Sequence, residues 1–521
     1  MALALPRHRA LAAVLVSSLL YALAFRGGAW SALAWVALVP LFLAIRSGSR
    51  VRGLALAGLW GLVSGYGIAE PFPGSISQYF QQQAWVGWII AVGIFGSMAS
   101  PYYAAFAALD RRLARLGPSP LAPLAVACAW LAVEWVRGRL FTETVFFIGN
   151  PWGLLGASQL AALPLVQLSE FTGIYGPSFL VALSNATLAA EIEALRAGSW
   201  ERRASMRRWA CVLLPVLAAA LHGSWVLRSA EPRGLRVRVA SVQPDVDVGS
   251  RWRRDFYGRN LELSLRLSDD VVAESAPALL FWPESSFTFL LEEEPAYART
   301  LARSLAAWDA QLIAGGPARV SGADGEAPAW RNRMFSIDPA RGIIGRYDKE
   351  HLVPFAEYVP GSMPDPAGWD FEGARSFGHG SLTGPIPSRA GPVGVVICNE
   401  ALLAEVTADR VRAGAQILAN PSNDSWVAEP DFARRMLEHV AFRSIELRRY
   451  LVRSSTEGPS AIIDPWGRIQ ASTRHGESAT LVGEVSPRTA LTLYARFGDW
   501  FPALASAVAG LAALAAGRVR R

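Results

Sequence analysis

Tyr347-Asp-Lys-Glu-His-Leu-Val-Pro-Phe-Ala-Glu-Tyr-Val-Pro360 holds the one lysine, Lys349, of a 521-residue chain in which lysine and arginine together number 50. Most surface positions accept either cation, so an arginine-only background reads as a coding bias. A lysine kept against that bias marks chemistry that arginine cannot perform, because only lysine offers a compact, rotatable ammonium with an adjustable pKa. Two other stretches stand with it. Leu279-Leu-Phe-Trp-Pro-Glu284 reads as a buried strand ending on a carboxylate, and Val393-Gly-Val-Val-Ile-Cys398-Asn-Glu400 as an apolar strand ending on a cysteine before a helix. Helix N-terminal amides at such a place stabilise a thiolate. Each residue alone has a bland reading: core cysteine, solvated glutamate, surface lysine. Their joint order and spacing point to a nucleophile with a base and a cation.

Outward from these stretches the periodicity is that of an α/β domain. Leu235-Arg-Val-Arg-Val239 alternates like a half-buried strand, as do runs at 279–282, 311–315, 393–398, 415–419 and 450–454. Helical patterns lie at 251–275, 295–309, 400–413 and 430–448. Ser336-Ile-Asp-Pro-Ala-Arg-Gly342 and Ile463-Asp-Pro-Trp-Gly467 carry hairpin turn chemistry. Strands alternating with helices and interrupted by hairpins predict an α/β sandwich over residues 229–490, large enough to bury its own core.

The rest of the chain is unlike a soluble domain. Of all residues 52% are hydrophobic, concentrated before residue 230 and after 499. Charge-free apolar runs at 10–25, 27–45, 53–69, 85–109, 116–133, 171–190, 209–227 and 500–517 predict about eight transmembrane helices. Residues 1–228 would be a bundle of about seven spans, and 491–521 a final span with a basic tail. Stretch 140–169, interrupted by Glu143, Asn150, Pro151 and Pro164, reads as an interfacial or re-entrant segment. Ala22-Leu23-Ala24 would also suit a signal-peptide cleavage site, which would leave the later topology unchanged.

Arginines set the orientation. With a cytoplasmic N-terminus, the inside loops hold Arg7 and Arg9; Arg46, Arg50 and Arg52; Arg111, Arg112 and Arg115; Arg196, Arg202, Arg203, Arg207 and Arg208; and Arg518, Arg520 and Arg521. The short outside loops hold only Arg26, Arg137 and Arg139. Such asymmetry places residues 228–499 outside the cytoplasm. The formal charge of +7 is therefore membrane orientation rather than a nucleic-acid face. Cys128 and Cys211 lie in apolar runs, and the six histidines offer no ligand pair. Neither a disulfide framework, a metal site nor a cofactor is expected.

Glu284, Lys349 and Cys398, in the contexts WPES, YDKEHLVPFAEYVP and VICNE, resemble the nitrilase (carbon–nitrogen hydrolase) superfamily. With flanking spans, the whole chain resembles the apolipoprotein N-acyltransferase family. Asn420-Pro-Ser-Asn-Asp-Ser-Trp426 is similar to the family's segment after the nucleophile strand. Three positions depart: Ala356 stands where glycine is usual, Asn399 where an aromatic is frequent, and Arg453-Ser-Ser-Thr-Glu-Gly458 where Asn-Thr precedes the glycine.

The resemblance implies an α-β-β-α sandwich carried by a polytopic membrane bundle in the bacterial cytoplasmic membrane. It implies ping-pong acyl transfer from a phospholipid to the free α-amino group of an apolipoprotein's diacylglyceryl-cysteine. Glu284 would be the base, Cys398 the nucleophile and Lys349 an oxyanion donor. Glu357 would position Lys349, with Asn399, Glu400, Trp252 and Trp426 as supporting residues. Open alternatives are a membrane-bound amidase acting on a small amide, a cysteine–histidine dyad using His351 or His379, and a non-catalytic lipid-binding or transport protein.

Overall fold

The computed structural model describes residues 5–70, 72–79, 83–117, 119, 121–139, 151–230, 234–246, 256–320, 329–354, 356–358, 377–381, 384–427 and 429–518. Contacts divide these into two compact units: residues up to 229 together with those from 497 onward, and residues 230–496.

In the first unit, five helices among the described residues are long and apolar enough to cross a membrane: Gly28–Arg46, Arg50–Ile68, Tyr175–Arg196, Arg202–Arg228 and Trp500–Arg518. The other expected spans differ for local reasons. Run 10–25 lies in Arg7–Ala24, whose first turn carries Arg7, His8 and Arg9. Run 85–109 breaks at Ala99 (φ −121°) into Ala84–Met98 and Ser100–Leu113. Pro101 has no N–H to continue a helix and sits comfortably only in a first turn. Run 116–133 belongs to a helix, Ala122–Arg139, that carries Glu134, Arg137 and Arg139. Arg137 and Arg139 are thus on a helix, not in a loop.

Glu134 and Arg137 are buried, whereas Arg139 is exposed. Glu134 Oε1 accepts from Trp130 Nε1 at 3.0 Å and from the Leu155 N–H at 2.8 Å. Arg46 forks onto Asp110 at 2.6 and 2.8 Å and reaches Glu193 at 2.8 Å. A paired set such as Arg46 with Asp110 and Glu193 is what a bilayer tolerates. Of the interrupted stretch 140–169, residues 140–150 lie outside the described residues. The remainder turns through short helices at Leu155–Gln159 and Leu163–Val166.

Among the described residues the second unit is built on eleven strands: β1 (237–243), β2 (279–281), β3 (311–320), β4 (329–338), β5 (342–348), β6 (393–395), β7 (417–422), β8 (451–455), β9 (461–463), β10 (469–472) and β11 (479–485). They form one sheet in the order β11-β1-β2-β3-β4-β5 and a second in the order β10-β9-β8-β7-β6. Strands β1, β2 and β3 run parallel, as do β6, β7 and β8. Alternation decides which residues face which layer. Val239, Leu279, Phe281 and Ile313 meet Val393, Val395, Ile417 and Val452 between the sheets. Ala240, Val242, Leu280 and Leu312 face the other way, onto Leu261, Leu301 and Leu305 of helices Tyr257–Ser275 and Pro295–Trp308. Helix Pro430–Leu447 buries Phe432, Met436, Val440 and Phe442. The α/β sandwich expected from the sequence is the observed fold.

Candidate active site

Parallel strands place their carboxyl ends together, where open α/β sheets gather ligand-binding groups. Glu284 lies three residues beyond β2, Cys398 three beyond β6, and Lys349 directly after β5, its N–H bonded to Asn332 O of β4 at 2.9 Å. Glycines admit the close turn at Glu284. A side chain at Gly315 would meet Glu284 Cα at 3.2 Å and Met334 Sδ at 2.5 Å.

The structure brings Glu284, Lys349, Glu357 and Cys398 together. Lys349 is 1% exposed and Glu284 4%. Lys349 Nζ donates to Glu357 Oε1 at 2.8 Å and to Glu284 Oε1 at 3.5 Å. Its third N–H has no acceptor among the described residues. Asn332 Nδ2 bridges the carboxylates, donating to Glu284 Oε1 at 2.6 Å and Glu357 Oε1 at 3.0 Å. Glu284 Oε2 takes the Asn423 N–H at 2.9 Å, and Glu357 Oε2 the Val353 N–H at 2.8 Å. Two carboxylates thus share one ammonium and one amide, with Lys349 and Glu284 buried.

The protonation equilibria follow from that sharing. Burial raises the Glu284 pKa above the usual carboxylate value; Lys349 opposes the shift and Glu357 reinforces it. Burial would lower Lys349, but Glu284 and Glu357 outweigh it and hold the ammonium firmly charged. Desolvation pushes the Cys398 thiol up to about 12, with Glu284 and Asp424 adding to the shift and Lys349 opposing it. A resting thiol beside a carboxylate of raised proton affinity is an arrangement for general-base activation.

Cys398 has φ +52°, left-handed backbone that a residue with a Cβ adopts only when its surroundings impose it. It opens a 3-10 helix, Cys398–Leu402, ahead of helix Ala404–Arg412. The full helix expected at 400–413 therefore begins several residues after the cysteine. Glu400 is more than a first-turn acid. Its carboxylate accepts from Tyr347 Oη at 3.0 Å and from the N–H groups of Glu350, His351 and Ile397 at 2.8, 3.0 and 2.7 Å. Arg410 adds a second clamp, donating to Tyr347 Oη at 2.6 Å and Glu350 Oε2 at 2.9 Å. Together they dock the lysine loop against the cysteine loop.

The other expected residues are placed less centrally. Both amide atoms of Asn399 are buried without a hydrogen-bond partner among the described residues. Trp426 packs edge-on against Phe432, centroids 5.8 Å apart. Trp252 lies outside the described residues. His379 Nδ1 is 2.8 Å from Glu350 O and its ring packs on Tyr358, so the structure turns it to other partners than Cys398. Sequence reasoning missed Asn332 and Arg410, which no local pattern announces. It also missed the roles of Asn420 and Asp424, although it singled out their segment.

Residues 17–187 match the apolipoprotein N-acyltransferase N-terminal domain, and residues 238–493 match the carbon–nitrogen hydrolase family. The chain is similar to the apolipoprotein N-acyltransferase of Geobacter metallireducens, 33% identical over 99% of this chain and 96% of that one. It is similar also to that of Gloeobacter violaceus, 30% identical over 94% and 90%. A solved carbon–nitrogen hydrolase from Helicobacter pylori G27 aligns at 18% identity, covering 48% of this chain and 90% of its own, with a TM-score of 0.37. With both domain families matched in order and a full-length relative at this identity, the chain belongs to the apolipoprotein N-acyltransferase family.

Proposed function

We propose that this membrane acyltransferase moves an acyl chain from a phospholipid to the α-amino group of an apolipoprotein's diacylglyceryl-cysteine through a thioester on Cys398. The observation that carries the reading is the buried Glu284–Lys349–Glu357 cluster beside Cys398. Glu284 takes the thiol proton as Sγ attacks the ester carbonyl. The free N–H of Lys349 stabilises the developing oxyanion, a contribution of about 3 kcal/mol for one well-placed donor. Collapse expels the glycerol oxygen, which recovers the proton from Glu284 and leaves as lysophospholipid. The acceptor amine, an α-amino group that ordinarily titrates at about 8, then attacks the thioester. Glu284 accepts its excess proton and passes it to the departing thiolate. Glu357 fixes the ammonium.

Residues 1–228 and 491–521 serve as the membrane bundle and final span, and 229–490 as the catalytic domain. The arginine asymmetry supports an extracytoplasmic placement for that domain, where both lipid substrates are reached from the outer leaflet. The test is direct. Purified protein incubated with phospholipid and no acceptor should gain one fatty-acyl mass, labile to hydroxylamine. Cys398→Ala should lack it, and Cys128→Ala and Cys211→Ala should keep it. An adduct that survives in Cys398→Ala overturns the assignment.

A further inference from the structure

Asn420, Ser422, Asp424, Arg453 and Ser455 are all fully buried at the carboxyl ends of β7 and β8. Asp424 and Arg453 form an ion pair with neither side chain exposed. Such a pair is a poor source of stability, because desolvation cancels most of the attraction and apolar replacements are often neutral or better. Its presence calls for a positional reason, and the hydrogen bonds supply one.

Arg453 Nη1 donates to Asn420 Oδ1. Asn420 Nδ2 donates in turn to Val396 O at 2.8 Å and Cys398 O at 3.1 Å. Arg453 Nη2 donates to Asp424 Oδ2, which also accepts Ser455 Oγ at 2.7 Å. Asp424 Oδ1 accepts Ser422 Oγ at 2.7 Å. Between Ser422 and Asp424, the Asn423 N–H holds Glu284 at 2.9 Å. One guanidinium therefore ties Asn420, which holds the Cys398 carbonyl, to Asp424, which adjoins the Asn423 amide that orients Glu284. The left-handed backbone at Cys398 is gripped by Asn420 through the carbonyls of Val396 and Cys398.

The geometry points to Arg453 and Asp424 as positioning residues for the acyl-transfer step, holding nucleophile and base in register without touching a reacting atom. Planarity matters: two arms of one guanidinium reach Asn420 and Asp424 at a fixed angle, which a single ammonium does not reproduce. The inference rests on reading Cys398 as the nucleophile and Glu284 as its base.

Asp424→Asn in the purified full-length protein separates positioning from mere structure. Two quantities are measured: alkylation of Cys398 by iodoacetamide against pH, and single-turnover thioester formation from phospholipid. The Asp424 charge raises the Cys398 thiol, so its removal should bring alkylation to lower pH. Misregister of nucleophile and base should slow thioester formation on the order of 100-fold. Loss of fold would also expose the thiol, so both readouts are taken on protein whose thermal melting in detergent shows it folded, and there a purely structural role leaves thioester formation normal. Arg453→Met combined with Asp424→Asn leaves no unpaired buried charge. That double variant should melt near the unmodified protein in detergent and still acylate slowly. Normal thioester formation in either folded variant overturns the proposal. Absence of a Cys398 adduct in the unmodified protein would instead sink the catalytic reading beneath it, and this one with it.

Discussion

Replacing Lys349 by methionine removes the ammonium from a cluster that keeps two carboxylates, Glu284 and Glu357, tied to one Asn332 amide. Left ionised and unpaired, such buried groups cost about 3–5 kcal/mol. Proton uptake limits the damage. Keeping one glutamate protonated costs about 1.4 kcal/mol for each pH unit above its ordinary value of ~4.3, hence ~4 kcal/mol at pH 7 and ~1 kcal/mol at pH 5. The sign follows from the direction of the shift. A carboxyl whose folded pKa is raised, as Glu284 already is, favours folding while neutral and loses that contribution as pH rises toward its folded pKa. Lys349→Met extends the loss further upward. The variant should therefore melt close to the unmodified protein at pH 5 and well below it at pH 7, with no thioester formed at either pH.

Lys349→Arg is the companion experiment. It keeps the charge, so its melting should show no extra pH dependence. The wider, planar guanidinium cannot place a donor where the ammonium stood without displacing the ester, so thioester formation should fall on the order of 100-fold or more. The assays are thermal melting in detergent at both pH values and single-turnover acylation from phospholipid. Equal destabilisation of Lys349→Met at pH 5 and pH 7 would refute the charge accounting. A near-normal rate in Lys349→Arg would refute the oxyanion role.

Glu284→Gln should dissociate ionisation from catalysis: the thiol loses a neighbour that raises it, so iodoacetamide should react at lower pH. Acyl transfer should fall about 10²–10⁴-fold, and unchanged alkylation would mean that Glu284 does not face the thiol. In the unmodified protein, acylation should decline on acidification at a pH above the ordinary carboxylate range, since Glu284 must be ionised and its pKa is raised. A rate that stays flat down to pH 4 contradicts this. A phosphatase fused near residue 325 should be active and one near residue 195 inactive; the reverse pattern would overturn the arginine-based topology.

The sandwich was legible because short apolar runs mark its strands, and β2, β6, β7 and β8 are buried along their whole length. Strands expected at 279–282 and 311–315 appear as β2 and β3, and helices at 295–309 and 430–448 are met within a residue or two. Boundaries went wrong where backbone geometry overrides hydropathy. Run 27–45 begins as a 3-10 helix, Gly28–Leu33, and restarts at Val39–Arg46, where Pro40 occupies the first turn. Run 85–109 is uniformly apolar, yet Pro101 divides it. Apolarity measures preference for lipid; it does not report whether each backbone N–H finds its carbonyl.

The candidate site was legible where a residue type departs from its background, and hidden where it does not. Lys349 stood out because no other lysine exists in the chain. Arg453 and Arg410 are equally buried, but as arginines among arginines they carry no compositional mark, and only the fold shows what their forks hold. Asn332 sits in mid-strand on β4, where an asparagine gives no local signal, yet it bonds both carboxylates of the site. The division has a physical basis. Groups that react must be particular atoms, so the residue type betrays them. Groups that position can be any donor or acceptor delivered at the right angle, and that angle is set by strands distant in sequence. A catalytic list read from sequence is therefore weighted toward reacting atoms. In the mechanism proposed for this protein, the positioning layer consists of Asn332, Glu400, Arg410, Asn420, Asp424 and Arg453. It outnumbers the reacting residues, and substitutions there should alter rates while leaving Glu284, Lys349 and Cys398 in place.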